Sequence, residues 1–125
     1  MKIAIGSDDQ KTIRKKHFGE SPYYIICEIV KNELAGKEVR ENTSIDCHTS
    51  HHGQSGTVMN LLSDCQFFFG RSMGVKSMRN ISRKGIKCLI TDIETIDEAI
   101  ICFLSREIGR IRCFNAQEDG LVPYP

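Results

Sequence analysis

Apolar residues in the first third of the chain form three runs that are typical of β-strands. These runs are Lys2–Gly6, Tyr23–Ile29, and a more polar stretch from Glu33 to about Glu41. Lys31 and Asn32 fit a tight hairpin turn between the second and third runs. We therefore expect three strands, with the third at an edge of the sheet, where its charges would discourage pairing with other chains.

The rest of the chain alternates helical spacing with short apolar runs. The predicted elements are a helix from about Gln54 to Ser63, a strand from Cys65 to Phe69, a helix from Val75 closed by Gly85, a strand from Ile86 to Ile90, and a helix capped by Thr95 or Asp97. Crossovers through helices cover both faces of a sheet. The pattern predicts a three-layer α/β fold with one antiparallel strand in an otherwise parallel sheet. The residues from about Gly109 onward show no pattern that predicts a helix or a strand.

Composition and length narrow the class of protein. The 125 residues suit a single domain spanning 1–125, and 40% of them are apolar, which is close to a globular average. Lys plus Arg is 17 and Asp plus Glu is 16, so we expect neither a nucleic-acid nor a membrane-surface binder. No apolar run is long enough to span a bilayer, and the first residues do not resemble a signal peptide. We therefore expect a cytoplasmic protein.

The six cysteines do not form a recognisable metal or redox motif. Cys27, Cys65, Cys88 and Cys102 lie in apolar runs, where they are expected to be small buried hydrophobes. The absence of a CxxC pair excludes a zinc ribbon and a thioredoxin-type motif.

Three segments are expected to meet at the carboxyl ends of the strands, where open α/β sheets bind ligands. They are Ser7-Asp8-Asp9 through His17-Phe18-Gly19, then Gly70 to Gly74, and then Thr91-Asp92. Gly70 and Gly74 would let backbone N–H groups approach a ligand, and Arg71 would add positive charge. The alternative is a tight turn in which the glycines only satisfy backbone geometry.

Soft metal ligands are concentrated in one loop. Cys47, His48, His51 and His52 lie within six positions, and with His17 they include every histidine of the chain. Imidazole and thiolate are the donors that zinc, copper and iron–sulfur sites use. The loop is either a metal site or a solvated segment with incidental histidines. Its single thiol cannot supply the four cysteines of an ordinary [4Fe–4S] centre.

Two parts of the chain resemble a known family. Met1-Lys2-Ile3-Ala4-Ile5, a Ser-Asp turn, His17-Phe18-Gly19 and Pro22-Tyr23-Tyr24 are similar to the start of a dinitrogenase iron–molybdenum cofactor biosynthesis domain, the group of NifX, NafY and the C-terminal part of NifB. Asp64-Cys65-Gln66-Phe67-Phe68-Phe69-Gly70, then Gly74 and Gly85-Ile86, resemble its second half. The resemblance covers about residues 1 to 106.

The resemblance implies both a fold and a function. The implied fold is a ribonuclease H-like α/β/α arrangement, with five strands in the order 3-2-1-4-5 and strand two antiparallel. The implied function is a non-enzymatic carrier or chaperone for an iron–molybdenum or related metal–sulfur cluster. His17 matches the family's histidine before Phe-Gly, which implies a ligand role for it. The basic first loop, Arg71 in the glycine turn and the Cys47–His52 loop depart from the family pattern.

The sequence therefore predicts a monomeric or homodimeric carrier of an anionic metal–sulfur cluster, which it would pass to a delivery partner. The residues expected to hold the cluster are Ser7, Asp8, His17, Phe18, Gly19, Gly70, Arg71 and Gly74, with Cys47, His48, His51 and His52 as additional metal ligands. No catalytic residue is predicted. Two alternatives remain: a sensor that binds a single transition metal or responds to redox state through the Cys47–His52 loop, and an interaction module without a cofactor.

Overall fold

A computed structural model describes residues 1–42, 58–106 and 109–124 of the chain. Its first half is built from three strands, β1 (Lys2–Ser7), β2 (Tyr23–Val30) and β3 (Glu33–Glu41). Lys31 and Asn32 have φ values of 52° and 63°, as a two-residue hairpin turn of matching twist requires. The predicted strands and turn are thus confirmed.

The second half alternates strands and helices as predicted. Its elements are β4 (Phe67–Gly70), α1 (Val75–Arg83), β5 (Lys87–Thr91) and α2 (Ile96–Ser105), and residues 58–61 are also helical. Gly85 has a φ of +82°, the left-handed conformation that commonly follows the end of a helix. The hydroxyl of Thr95 accepts a hydrogen bond from the Glu98 N–H at 3.2 Å and so caps α2.

The described strands form one sheet of seven, in the order β3-β2-β1-β4-β5-β6-β7. The expected order of the first five strands is confirmed, but the expected total of five is wrong. Residues after Gly109 add β6 (Ile111–Asn115) and β7 (Gly120–Pro123). β1, β4 and β5 are parallel to one another, whereas β2 and β6 are antiparallel to their neighbours, so the expectation of a single antiparallel strand is also wrong. The ribonuclease H-like relationship remains an expectation.

The apolar pattern of β6 explains why it escaped prediction. Ile111 and Phe114 are both buried but pack in different clusters on opposite faces of the sheet. Ile111 and Cys113 pack on one face and Phe114 on the other, so two apolar residues are adjacent and interrupt the two-residue alternation that identifies strands. The turn that follows is held by the Asn115 side-chain oxygen, which accepts hydrogen bonds from the N–H groups of Gln117 and Glu118 at 2.9 and 3.1 Å.

Two apolar clusters cover the two faces of the sheet. Ile3 and Ile5 pack on the face that carries α2, together with Ile100 and Phe103. Ala4 and its neighbours pack on the other face, against α1 and residues 58–61. Helices therefore lie on both faces, and the three-layer prediction is confirmed. None of the helices in the described ranges is both long and apolar enough to cross a bilayer.

The cysteines of the apolar runs are buried as predicted. Burial raises the pKa of the Cys27 thiol to about 11 and the pKa values of the Cys65 and Cys88 thiols to about 12. The burial of these three thiols fits their role as small apolar residues of the core.

Candidate functional site

The loop after β1 is shaped by its own hydroxyl and carboxylate groups. The buried Ser7 Oγ donates a hydrogen bond to the Thr12 carbonyl at 2.6 Å and accepts one from the Gln10 N–H at 2.8 Å. The Asp9 carboxylate accepts hydrogen bonds from the N–H groups of Thr12 and Lys11 at 2.7 and 2.9 Å. These bonds lower the pKa of Asp9 to about 2, the Thr12 N–H contributing most. Ser7 and Asp9 therefore hold the loop.

Arg14 fixes the second half of this loop. Its guanidinium pairs with the Asp8 carboxylate, and its Nε donates to the His17 carbonyl at 3.1 Å. Its backbone N–H also donates to the Gly6 carbonyl at 2.9 Å. The charges of Asp8 and Arg14 thus offset each other, and Arg14 positions the backbone of His17.

Phe18 anchors the turn that displays His17. Its ring is buried and stacks on Phe68, with centroids 5.1 Å apart and an interplanar angle of 21°. Its carbonyl accepts hydrogen bonds from the Tyr24 hydroxyl at 2.7 Å and the Ser21 hydroxyl at 2.8 Å. Because Phe18 is fixed in the core, the exposed residues His17 and Gly19 on either side of it have defined positions.

Two glycines make room for this turn. A Cβ atom on Gly6 would lie 2.2 Å from the Ser21 Oγ, and one on Gly70 would lie 3.3 Å from the Phe18 Cδ1. Gly70 therefore allows the Phe18 ring to pack closely against β4, and the Phe18 N–H donates to the Ser72 carbonyl at 3.0 Å. These contacts join the two segments that the sequence placed at this edge of the sheet.

A cavity of about 550 Å³ opens beside this junction. It lies between the short 3-10 turn Phe18–Glu20, the first residues of the 58–61 helix, and α1. Its volume falls in the range of pockets that hold small ligands. The lining residues are His17, Phe18, Gly19, Glu20, Val58, Met59, Phe68, Met73, Gly74, Ser77, Asn80, Ile81, Arg83 and Lys84.

Positive charge predominates around the cavity. Arg83 and Lys84 line it, and Glu20 is the one acidic residue among the described lining residues. Gly74 precedes α1 and provides no side-chain cap, and the first turn of α1 contains no acidic residue. The positive end of the α1 dipole and its uncapped N–H groups therefore lie at the cavity wall, where they favour an anion.

The structure brings together half of the predicted cofactor-binding residues. His17, Phe18, Gly19 and Gly74 line the cavity. Ser7, Asp8, Gly70 and Arg71 do not line it. Arg71 is half-buried and has no ion-pair partner within the described ranges. The predicted metal ligands Cys47, His48, His51 and His52 lie outside the described residues.

Sequence reasoning missed the wall that α1 contributes. Ser77, Asn80, Ile81 and Lys84 line the cavity, and they recur at spacings of three and four residues, as neighbours on one helical face do. Ser77, Asn80 and Lys84 form the polar part of this face, beside core residues such as Ile81, and this pattern was the available signal. The thioethers of Met59 and Met73 were missed as well, because isolated methionines are expected in a core.

The described lining residues provide one imidazole and two thioethers as soft donors. No group of three His, Cys, Asp or Glu side chains that could hold a metal ion occurs within residues 1–42, 58–106 and 109–124. Among the described lining residues, His17, Met59 and Met73 are the soft donors available to a ligand.

One related sequence and two solved structures are similar to this chain over most of its length. The chain is 28% identical to an uncharacterized protein of Methanocaldococcus jannaschii over 112 residues, which cover 88% of this chain and 91% of that protein. A proposed NifB protein from Thermotoga has a similar structure, with a TM-score of 0.61, 25% identity, and coverage of 88% of this chain and 90% of that one. The apo form of the orange protein from Desulfovibrio gigas superposes with a TM-score of 0.64 at 19% identity, covering 88% and 89% of the two chains.

The sequence profile described as dinitrogenase iron–molybdenum cofactor matches residues 1–106. The match covers every described element from β1 to α2 and all lining residues of the cavity. It confirms the resemblance carried by His17-Phe18-Gly19 and by the β4 segment. The chain therefore belongs to the dinitrogenase iron–molybdenum cofactor family.

Proposed function

We propose that this protein is a non-enzymatic carrier that binds an anionic iron–molybdenum or related metal–sulfur cluster in the cavity beside His17. The observation that carries the proposal is the open cavity of about 550 Å³ with an exposed imidazole on its wall, in a chain of this family. The cluster is cargo, taken up from one protein and passed to another.

The cavity wall suits such cargo in two ways. Metal–sulfur clusters carry net negative charge, and Arg83, Lys84 and the start of α1 supply compensating positive charge. The thioethers of Met59 and Met73 and the rings of Phe18 and Phe68 make the rest of the wall soft and apolar. A low-polarity wall excludes water and strengthens the electrostatic attraction.

His17 is the proposed direct ligand. It is exposed, its backbone is fixed by Arg14, and Phe18 beside it is held in the core. One direct ligand is consistent with a carrier, because cargo that must be released cannot be held by a complete protein ligand set. The predicted contributions of Ser7, Asp8, Gly70 and Arg71 are not part of this proposal, since these residues do not line the cavity.

The Cys47–His52 loop supports a second candidate function. Cys47, His48, His51 and His52 are suitable ligands for a single transition metal, so a metal or redox sensor remains a distinct hypothesis. A third hypothesis is an interaction module that binds no metal. The three hypotheses make different predictions for two single substitutions.

The experiment compares metal uptake by the wild type, His17→Ala and Cys47→Ala. Each protein is incubated without oxygen with iron, sulfide and molybdate, freed of unbound metal, and assayed for metal content and visible absorbance. Lys15→Ala, an exposed neighbour in the same loop, is the matched control. We expect wild type and Lys15→Ala to acquire iron with absorbance from sulfide-to-metal charge transfer, and His17→Ala to lose most of both.

Two other outcomes contradict the proposal. Uptake that depends on Cys47 and is unchanged in His17→Ala would favour the sensor. No uptake of iron, molybdenum, copper or zinc by the wild type would favour the interaction module.

A further inference from the structure

The two edges of the sheet differ in how well they are protected from pairing with a strand of another chain. β7 is four residues long, ends at Pro123, and consists of partly buried residues up to that proline. β3 is nine residues long, and each of its residues is exposed except the half-buried Arg40. Leu34 and Val39 leave 41% and 49% of their surfaces exposed. An edge strand of this length, with apolar exposure, is open to pairing with another strand.

The outer part of β3 is regular enough to pair. Its register with β2 is continuous from Glu41, opposite Tyr23, to Gly36, opposite Glu28. The bulge lies beyond this stretch, between Glu28 and Ile29. The stretch Gly36–Glu41 therefore extends the sheet without a kink, and its outward-facing backbone groups have no strand partner in the described part of the chain.

The order of charges in this stretch selects one partner. We propose that β3 pairs antiparallel with β3 of a second copy of this chain, with Val39 on the two-fold axis. In that register Lys37 lies opposite Glu41 of the second copy, and Glu38 lies opposite Arg40 of the second copy. Each opposition occurs twice across the axis, so all four charged positions face an opposite charge and the two exposed valines face each other.

A shift of the two-fold axis to a neighbouring charged residue places like charges opposite each other. An axis at Glu38 opposes two glutamates, an axis at Arg40 opposes two arginines, and an axis at Lys37 opposes two lysines. Opposite charges directly across an antiparallel pair stabilise it, and like charges destabilise it. The charges that we expected to discourage pairing therefore disfavour the symmetric registers centred at Lys37, Glu38 and Arg40 and favour the one centred at Val39.

The intramolecular contacts of these charges are compatible with the pairing. Lys37 contacts Asp97 at 2.7 Å, and this pair is largely exposed. Arg40 contacts Asp64 at 2.6 Å and Glu38 at 2.8 Å, so Glu38 already lies beside a guanidinium. Within the described ranges, the cavity of the proposed carrier function has no lining residue on β3, and the two inferences can fail separately.

The test is sedimentation velocity over a range of concentrations for wild type, Lys37→Glu, Glu41→Lys and the equimolar mixture of the two variants. We expect the wild type to dimerise. Each variant alone places like charges across the axis, and its dimer Kd should rise roughly tenfold. The mixture should recover association, because the glutamate introduced at position 37 of one variant then faces the lysine introduced at position 41 of the other. Native mass spectrometry should identify this heterodimer.

The matched control is Glu33→Lys, which makes the same charge change on the same strand outside the self-complementary stretch and should leave the dimer Kd unchanged. A wild type that stays monomeric up to the concentrations used for NMR would overturn the inference. So would a dimer that Glu41→Lys does not weaken. Glu41 has no ion pair in the described part of the chain, so this result holds whether or not Lys37→Glu retains its fold.

Discussion

At the scale of single residues, close contacts determine where His17 is presented. Gly6 is the tightest of these positions, because the Ser21 hydroxyl occupies the space a side chain would need. Ser21 is fully buried, and its hydroxyl donates to the Phe18 carbonyl. A methyl group on Gly6 would therefore displace the turn that carries Phe18 and His17.

We predict that Gly6→Ala lowers the free energy of unfolding by about 1–3 kcal/mol, the usual cost of overpacking a filled site. Gly19→Ala is the matched control, since no atom lies within 4 Å of the added methyl group. It should leave stability nearly unchanged. Urea unfolding followed by circular dichroism measures both variants. Equal stabilities would show that the Gly6 contact relaxes freely.

Asp9 gives a second prediction at this scale. Its pKa is lowered to about 2 in the folded protein from an ordinary value of 3.8. A carboxyl whose pKa is lowered by folding stabilises the folded state above its unfolded pKa, and this contribution is lost as the pH falls toward the folded pKa. The wild type should therefore lose stability between about pH 4 and pH 2, and Asp9→Ala should lose less over that interval.

The measurement is urea unfolding at a series of pH values. Asp92→Ala replaces an exposed aspartate of another loop and should keep the wild-type pH dependence. If Asp9→Ala and the wild type have parallel pH profiles, the hydrogen bonds to Asp9 do not hold this loop in solution.

At the scale of elements, the sequence predicted the strands and helices whose apolar periodicity is clear. β1, β2, β3 and β5, with α1 and α2, are close to their predicted bounds. The fourth strand begins at Phe67, two residues after its predicted start at Cys65. Cys65 and Gln66 precede the residues of β4 that pair with β5. The predicted first helix is described only at residues 58–61. β6 was missed because its apolar residues pack on opposite faces and interrupt the alternation, and β7 because it is four residues long and has no fully buried position.

The candidate site was predictable to the extent that it lies on strand ends. His17, Phe18, Gly19 and Gly74 follow from the rule that open α/β sheets bind ligands at the carboxyl ends of strands. Arg83, Lys84 and Asn80 do not follow from it, because they lie at the far end of α1 and reach the cavity only through the packing of that helix on the sheet. The polar face of α1 can be read from the sequence, but only the packing of that helix on the sheet places this face beside the cavity.

The hairpin of β6 and β7 contributes to stability beyond the residues that the family profile matches. Phe114 is buried with Tyr24, Phe68 and Cys88 in the cluster that also packs against the cavity side of the sheet. We predict that Phe114→Ala lowers the free energy of unfolding by about 3–5 kcal/mol, because it leaves a cavity in a packed core.

Arg112→Ala, at an exposed position of the same strand, should change stability by no more than about 0.5 kcal/mol. Thermal unfolding followed by circular dichroism distinguishes the two variants. Similar melting temperatures would mean that the hairpin is not docked on the sheet in solution.

At the scale of the whole molecule, the centre of the sheet, the carboxyl ends of its strands and its β3 edge differ in role. Its centre is covered on both faces by apolar clusters, and the carboxyl ends of β1 and β4 hold the turns that bring His17 to the cavity. The β3 edge has no strand partner in the part of the chain that the structure describes, and we propose a second copy as its partner. This arrangement separates the packed core from the cavity beside His17, as the proposed carrier function requires.

The most direct test of the carrier proposal is an oxygen-free titration of ¹⁵N-labelled protein with tetrathiomolybdate, a small anion of molybdenum and sulfide, followed by NMR. We predict saturable shifts of the His17 imidazole and of the backbone amides of Gly19, Gly74 and Ser77, with little change in β3 and α2. Shifts that leave the His17 imidazole unchanged, or that cluster on another face of the sheet, would contradict the proposal.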